Sequence, residues 1–208
     1  MVDRLSREFG DRVDLIWHAF ELRPEPVPLP STIDPSRRRR WDASVAPMAH
    51  DRGLVMKPPA IAARTRLAFQ AVEAARDQGK FDVMHHALFE AYFRDGLDIG
   101  TTDVLSDIAA SIGLAPSAVT RALGEGTYLN RVLDQERLAR NLGVTGVPAA
   151  FVGDDLATAE PVIGAVPYEW LQAAVERALS GASLEWRRRA LRTGIPLRER
   201  GATDPDQA

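Results

Sequence analysis

The sequence predicts an α/β protein in which a long all-helical segment separates a strand from a β-hairpin. β-branched and aromatic residues are dense and partly alternating over residues 13–21, which favours a strand with one buried face. Apolar residues then recur with a helical period over residues 61–142. Two short apolar runs follow at 147–152 and 159–163, and the Gly153-Asp154-Asp155 turn between them is typical of a hairpin.

The size and composition of the chain indicate its broad class. A chain of 208 residues with 45% hydrophobic and 26% charged residues is typical of one soluble globular domain, or of a domain with a subdomain. The formal net charge of −3 is too small to attract nucleic acid or a membrane surface, so we expect neither partner. Because the chain has no apolar run of about 18 residues and no signal-peptide core in residues 1–8, the expected location is cytoplasmic.

The first elements are a helix end, a strand and a loop. Leu5 and Phe9 are spaced i, i+4 ahead of Gly10, which predicts the last turns of an amphipathic helix. After the strand at 13–21 comes an extended surface loop, because each of its prolines lacks a backbone N–H donor and restricts φ. These prolines are Pro24, Pro26, Pro28, Pro30 and Pro35. A short helix is expected over residues 37–50.

Five helices are expected in the all-helical segment, and one more after the hairpin. Glycines and prolines mark their ends, and Thr101, Thr102 and Asp103 are suited to cap one N-terminus. The predicted helices span residues 61–78, 81–93, 101–113, a stretch that begins at Pro116, 129–142 and 167–181.

The absence of cysteine removes several classes of chemistry from this chain. Without a thiol, these residues contain no disulfide, thiolate metal site, iron–sulfur cluster or cysteine nucleophile. The His85-His86 pair has no carboxylate or third histidine at ligand spacing, so no metal site is expected there. His18 and His50 have no nucleophile beside them in the sequence. We therefore predict no catalytic residue and no metal ligand in this chain.

Several segments match a known family in the same order along the chain. Residues 17–24 look like its second strand and the following turn, residues 78–93 look like its helical insertion, and residues 142–152 look like the loop in which a cis-proline precedes the third strand. The chain thus resembles the DsbA-like thioredoxin-fold proteins over residues 5–180, in the branch of FrnE-like oxidoreductases and 2-hydroxychromene-2-carboxylate isomerases. The resemblance implies a thioredoxin-like (DsbA-type) α/β sheet with an inserted all-helical subdomain.

The resemblance also implies a domain organisation. Residues 1–36 and 143–182 would form the thioredoxin-like part, and residues 37–142 would form the helical insertion. Residues 183–208 are basic and interrupted by proline and glycine. We expect them to form a flexible tail with a solvated surface rather than a phosphate-binding patch.

The family's first strand and its active-site turn, usually Cys-x-x-Cys, have no counterpart in this chain. We therefore expect the first strand to be absent, and we expect no dithiol chemistry from these residues. Three arrangements stay open for such a sheet. It could close the gap by pairing its remaining strands, borrow a strand from a partner in a homodimer, or belong to a chain with a later start than its relatives.

The proline loop is the part of the family's site that this chain retains. By resemblance, Thr145, Gly146, Val147 and Pro148 bind substrate, and the backbone of Val147 pairs with an extended peptide or with glutathione. Three functions stay open: a thiol–disulfide oxidoreductase or isomerase by descent, a glutathione-dependent isomerase or transferase, and a non-catalytic module that binds a peptide or another subunit. No cofactor other than glutathione is expected, and the expected partner is a peptide thiol, a protein thiol or a glutathione-like molecule.

Overall fold

The structure of the protein is a computed structural model that describes residues 1–31 and 34–181. The described residues form two compact units, one of residues 1–17 and 142–181, and one of residues 18–31 and 34–141. We call the first the sheet unit and the second the helical unit. Each unit has its own apolar core.

The described residues contain α-helices, two π-helical turns, a 3-10 turn and two strands. In chain order they are α1 (Val2–Phe9), a 3-10 turn (Gly10–Arg12), α2 (Pro35–Arg40), a π turn (Trp41–Val45), α3 (Ala46–His50), α4 (Arg66–Arg76), α5 (Phe81–Phe89), a second π turn (Glu90–Arg94), α6 (Thr102–Ser111), α7 (Pro116–Gly124), α8 (Leu129–Asn141), β1 (Ala149–Val152), β2 (Glu160–Ile163) and α9 (Tyr168–Leu179). This order confirms the predicted helical segment, the hairpin after it and the final helix.

The sheet unit is held together by α1, α9 and the hairpin. Leu5 and Phe9, on one face of α1, are buried with Tyr168 and Val175 of α9, which confirms the predicted amphipathic helix. Apolar side chains of the hairpin pack against the same core. The hydroxyl of Tyr168 also donates a hydrogen bond to the carboxylate of Glu8 at 2.6 Å. These contacts join the first and last helices of the unit.

β1 and β2 form an antiparallel hairpin, as predicted. Ala149 lies opposite Ile163, and the register continues without a bulge to the turn. The turn needs a glycine at Gly153, where φ is 155° and an added Cβ would lie 3.1 Å from the Cα of Ala159. A larger residue at this position would therefore push the two strands apart.

The strand predicted at residues 13–21 is wrong. The backbone is extended at Val13, where φ is −140° and ψ is 122°, but no ladder joins this segment to β1 or β2. A strand needs a neighbouring strand for its N–H and C=O groups, and the described residues provide none beside this segment. Two of its large side chains contact solvent, since Ile16 is 75% exposed and Leu15 is 39% exposed.

The core of the helical unit forms where α4 packs against α5, α6, α7 and α8. Ala71 and Ala75 of α4 have no exposed surface, and such small side chains let the neighbouring helices approach closely. Met84, Leu105 and Val119, from three of those helices, are buried in the same core. The apolar faces that predicted these helices therefore meet one another.

Three of the predicted helices differ from the prediction in their start or in their hydrogen bonding. The helix expected from residue 61 begins at Arg66, and the carbonyl of Ile61 accepts a hydrogen bond from the hydroxyl of Tyr92 instead of joining a helix. The helices expected over residues 37–50 and 81–93 each contain a π turn. In these turns an N–H donates to the carbonyl five residues earlier, a local variation that apolar periodicity does not reveal.

The cap predicted for α6 lies at the right residue but uses different chemistry. Thr101 is the residue before the helix, and its side chain makes no capping hydrogen bond. Its hydroxyl instead donates to the carbonyl of Asp98 at 3.0 Å, while the Asp98 carboxylate accepts from the N–H of Gly100. The loop before α6 is therefore stabilised by its own side chains.

The last helix, predicted over residues 167–181, is confirmed as α9. The basic tail predicted at residues 183–208 lies outside the described residues. Within the described part of the chain, no helix is both long enough and apolar enough to cross a membrane.

Candidate functional site

The four residues predicted to bind substrate lie together in one loop of the sheet unit. Thr145, Val147 and Pro148 are exposed, and Gly146 is half-buried. The peptide bond between Val147 and Pro148 is cis, as the resemblance implies. Gly143 has a φ of 78°, a left-handed conformation that favours glycine, and it turns the chain from the end of α8 into this loop. The loop leads directly into β1.

The hydrogen bonds of the hairpin show which way β1 presents its backbone. The N–H of Gly164 donates to the carbonyl of Pro148 at 2.8 Å, so these two residues form a hydrogen-bonded pair. Pairs in an antiparallel ladder alternate between hydrogen-bonded and non-hydrogen-bonded positions. Ala149 and Phe151 therefore stand at non-hydrogen-bonded positions, and Pro161, opposite Phe151, has no N–H to donate. The N–H and C=O groups of Ala149 and Phe151 point away from β2.

This outward side of β1 is a free edge. Among residues 1–31 and 34–181 the sheet contains only β1 and β2, so no strand pairs with Ala149 or Phe151 on that side. The N–H of Val147 also has no hydrogen-bond partner in the described part of the chain, and its side chain is 52% exposed. We call these three residues, Val147, Ala149 and Phe151, the β1 edge.

The opposite edge of the hairpin lacks one of its backbone donors. Pro161 lies within β2 at a position whose donor would point away from β1, and proline lacks the N–H that a ladder needs. Proline on an outer strand is a common protection against edge-to-edge association. The outer edge of β2 therefore offers no N–H at Pro161, whereas the β1 edge has a donor at both Ala149 and Phe151.

The loop and the β1 edge offer backbone groups and no titratable side chain. Thr145 carries the only hydroxyl of the loop, and no acid or base lies beside it in residues 145–148. An added Cβ at Gly146 would meet no atom within 4 Å, so the loop is open on that side. Residues 145–148 therefore present backbone groups and one hydroxyl at an open surface.

The adjacent histidines of α5 make contacts along the helix surface. The ring centroid of His85 lies 5.4 Å from that of Phe81 and 4.9 Å from that of Phe89. Nδ1 of His86 lies 2.7 Å from the carbonyl oxygen of Asp82. Within the described residues, no three carboxylate or imidazole groups converge as ligands of a metal ion. That the chain binds no metal stays a prediction.

Two shallow surface depressions lie away from the predicted loop. One is lined by residues of α5 and α6 in the helical unit, and the other is lined by residues of α1 and α9 in the sheet unit. Neither is lined by any of residues 145–148. The candidate site is thus separate from both depressions.

The helical unit also buries a group of polar side chains that was not predicted from the sequence. Glu21, Gln70, Glu73 and Glu136 are each at most 6% exposed. Burial raises the pKa of the Glu21 carboxyl above its usual value, against the opposing effect of Arg66. The available signal was the position of Gln70 and Glu73 within the alanine-rich α4, where an apolar residue is the ordinary choice for burial.

Comparisons with known proteins agree with this architecture. The family model described as DSBA-like thioredoxin domain matches residues 1–176. The chain is also similar to the uncharacterized protein YwbO of Bacillus subtilis (strain 168), with 32% identity over 153 residues. That match covers 70% of this chain and 74% of YwbO.

Two solved structures have similar folds at low sequence identity. A probable DsbA oxidoreductase from Streptomyces coelicolor matches with a TM-score of 0.59 at 22% identity, over 71% of this chain and 63% of that chain. The present chain thus spans less than two thirds of that protein. A 2-hydroxychromene-2-carboxylate isomerase matches with a TM-score of 0.63 at 17% identity, over 93% of this chain and 89% of that chain. These matches confirm the predicted thioredoxin-like α/β fold with a helical insertion.

Proposed function

Because this chain belongs to the DsbA-like thioredoxin domain family, we propose that it binds a thiol-bearing ligand, either an extended peptide or a glutathione-like molecule, along the β1 edge. The observation that carries the proposal is the free edge of β1 beside the loop of residues 145–148. An extended ligand that pairs there would bond to N–H and C=O groups that have no partner among the described residues. Such backbone pairing supplies affinity without a titratable side chain.

The proposed role uses no sulfur from this chain. Thiol–disulfide exchange requires a thiolate that attacks a disulfide, and the 208 residues contain no cysteine. We expect these residues to be inactive in dithiol exchange, so any thiol chemistry would use the sulfur of the ligand. On this proposal, the chain shares its origin with the Streptomyces protein, which is named as a probable oxidoreductase, but does not share that activity.

A glutathione-dependent isomerase or transferase is the second candidate function. The absence of cysteine favours it, because in such an enzyme the thiol of bound glutathione reacts and the protein needs none. The likeness to the isomerase structure extends over 93% of this chain and supports the fold on which such an activity could be built. A cytoplasmic location, where glutathione is abundant, belongs to the same proposal.

Calorimetry and thermal-shift measurements with glutathione and S-methylglutathione test the binding proposal. S-Methylglutathione keeps the peptide backbone and blocks the thiol, so it reports backbone pairing alone. We expect both ligands at millimolar concentration to give measurable heat and to raise the unfolding temperature. No heat and no shift with either ligand would contradict the proposal.

Two substitutions at Val147 distinguish the contribution of its backbone N–H to ligand binding from the contribution of its side chain. Val147→Pro removes the N–H, whereas Val147→Ala keeps the N–H and shortens a side chain that is already half exposed. Because that N–H bonds to no described residue, its removal takes no hydrogen bond from the described part of the protein. We expect Val147→Ala to bind like the wild type and Val147→Pro to bind about tenfold more weakly, the effect of one lost hydrogen bond. Equal affinities would exclude the Val147 N–H as a contact.

Turnover assays separate the candidate activities. We expect this chain to leave the rate of insulin reduction by dithiothreitol unchanged, with a Cys-x-x-Cys oxidoreductase as the positive control. An increased rate would contradict the absence of dithiol chemistry. Isomerisation of 2-hydroxychromene-2-carboxylate that depends on added glutathione would favour the isomerase over a non-catalytic binding module.

A further inference from the structure

The β1 edge lacks the features by which outer strands usually avoid pairing with other chains. Such strands commonly carry a charged side chain, a bulge, or a proline in place of an outward N–H. Residues 142–153 contain no charged side chain, and the register of the hairpin continues without a bulge. Pro148 stands at a position that faces β2, since its carbonyl accepts from the N–H of Gly164. It therefore removes no donor from the β1 edge.

The two faces of the hairpin differ in what they contact. Ala150, Val152 and Val162 pack against the core that α1 and α9 form. Because side chains alternate along a strand, the residues between them lie on the other face. This outer face consists of Ala149, Phe151, Pro161 and Ile163, all of them apolar. A strand that pairs with the β1 edge would extend this face, so its own side chains there should be uncharged and apolar.

The β1 edge itself has the properties that such a strand needs. Two antiparallel strands exchange a pair of hydrogen bonds wherever inward-facing residues of both stand opposite each other. When Ala149 stands opposite Ala149 of a second copy, Phe151 stands opposite Val147 of that copy, and the reverse holds by symmetry. This register pairs all three residues of the edge. It also places an aromatic residue opposite a β-branched one, which is a favourable cross-strand pair.

We propose that a second copy of this chain binds at the β1 edge, in an antiparallel two-fold pairing centred on Ala149. The two hairpins then form one continuous sheet, with the two β1 strands in the middle and a β2 strand on each side. Because the pairing uses the same edge of both copies, it closes at two. The contact involves a single short strand from each copy, so it buries less surface than a standard interface and the dimer is weak and reversible.

The second copy and the proposed ligand need the same backbone groups. While the N–H of Ala149 donates to a second copy, it is not free to donate to a peptide or to a glutathione-like molecule. The ligand should therefore shift the protein toward the monomer, and high protein concentration should weaken ligand binding. This regulation of the site rests on the proposed function, whereas the pairing of two copies does not.

Sedimentation equilibrium of the wild-type protein, without ligand, tests the pairing. The monomer has a mass of 22.8 kDa. We expect the weight-average mass to rise reversibly toward twice this value as the protein concentration increases from about 10 μM to about 1 mM, a range suited to a small, weak interface. A mass that stays at the monomer value over the whole range would overturn the proposal.

A single cysteine at position 149 tests the register, since the chain has no cysteine of its own. In the proposed register the two Cα atoms of residue 149 lie about 5.5 Å apart, a distance that a disulfide can bridge. Ile163→Cys is the matched control on the same outer face. Ile163 is more exposed than Ala149, but its two copies would lie about 14 Å apart across the sheet, too far for a disulfide.

Oxidation of the two variants by diamide, followed on a non-reducing gel, gives the result. We expect Ala149→Cys to form a covalent dimer at least about tenfold faster than Ile163→Cys, because only the first pair of thiols is held together. Circular dichroism checks that both variants fold. Equal rates, or no covalent dimer from folded Ala149→Cys, would overturn the proposed register.

Competition with S-methylglutathione distinguishes a failure of this inference from a failure of the proposed function. Its sulfur is blocked, so it takes no part in disulfide formation. We expect a saturating concentration to slow the cross-linking of Ala149→Cys and to lower the weight-average mass of the wild type. If calorimetry shows that this ligand does not bind, the proposed function fails and the cross-linking result still decides the pairing. If the ligand binds and cross-linking is unchanged, the two do not share the β1 edge, and the proposed regulation is overturned.

Discussion

The ammonium group of Lys80 donates a hydrogen bond to the carbonyl oxygen of Ile112 at 2.8 Å, and another to the carbonyl of Gly113 at 3.0 Å. Lys80 immediately precedes α5, whereas Ile112 and Gly113 follow the last residue of α6. Carbonyls at the end of a helix lack partners within the helix, and a cation there also meets the negative end of the helix dipole. One side chain thus caps α6 and joins it to the start of α5.

Replacing Lys80 with methionine removes this cap while keeping the length of the side chain. We expect Lys80→Met to lower the free energy of unfolding by about 1–2 kcal/mol, measured by urea denaturation. Lys57→Met is the control, because Lys57 is exposed and its ammonium bonds to no described residue. That variant should stay within about 0.5 kcal/mol of the wild type. Equal effects of the two substitutions would contradict the capping role of Lys80.

Gly100 is in closer contact with a neighbouring segment than Gly124 is. An added Cβ at Gly100 would lie 2.8 Å from the carbonyl oxygen of Arg64, whereas at Gly124 it would meet no atom within 4 Å. We expect Gly100→Ala to lower the free energy of unfolding by about 1–3 kcal/mol, because backbone has to move. Gly124→Ala lies at the end of α7 and should be neutral or slightly stabilising. Chemical denaturation of both variants checks this order, and a reversed order would contradict it.

The β1 edge and the outer edge of β2 can be compared with two proline substitutions. Ala149 and Ile163 face each other at a non-hydrogen-bonded position, so the hairpin uses neither N–H. We expect Ala149→Pro to weaken glutathione binding about tenfold, because it removes a donor from the β1 edge. Ile163→Pro should leave the affinity unchanged, and circular dichroism checks that both variants fold. Binding that is lost equally in both would contradict the assignment of the ligand to the β1 edge.

The ion pair between Arg131 and Asp77 predicts a pH-dependent contribution to stability. Arg131 donates to the Asp77 carboxylate at 2.7 Å, and this hydrogen bond lowers the pKa of Asp77. A carboxyl group whose pKa is lowered in the folded protein stabilises the folded state at pH values above its usual pKa, here 3.8. This stabilisation is lost as the pH falls through the lowered pKa. Arg131→Met should therefore lower the unfolding temperature at pH 7, and the difference from the wild type should narrow toward about pH 3.

Arg121→Met is the control for this prediction, because Arg121 is an exposed residue of α7 with no ion pair among the described residues. We expect it to have little effect at any pH. A difference between wild type and Arg131→Met that stays constant with pH would mean that Arg131 acts through packing or through Glu73, to which it also donates at 3.3 Å, rather than through Asp77. That result would contradict the predicted role of the Asp77 ion pair.

The helices of the helical unit could be predicted because their signals are local. Apolar spacing within each segment predicts the buried face, and glycines such as Gly113 and Gly143, both with positive φ, mark where helices end. The π turn after Phe89 could not be predicted in this way. Its hydrogen bonds reach one residue further along the chain than those of an α-helix, which apolar spacing does not reveal.

The strand expected at residues 13–21 shows where local pattern misleads. Val13, Ile16 and Trp17 have the residue types of a strand, but a strand also needs a partner that is distant in sequence. The described residues offer no such partner, so the segment forms no strand ladder. The hairpin was predictable because its two strands are close in sequence and the turn between them carries its own signal.

The sequence by itself determined the helical segment, the hairpin with its proline loop, and the exclusion of cysteine chemistry from this chain, since each of these depends on residue type or on neighbours within a few positions. Only the tertiary structure decided which edge of the hairpin is free and which buried carboxylates have donors. The register places Pro161 on one edge and leaves Ala149 open on the other. Folding also gives Glu73 donors from another helix and leaves one oxygen of Glu136 without any. These properties depend on groups far apart in the chain that come within hydrogen-bond distance only when it folds.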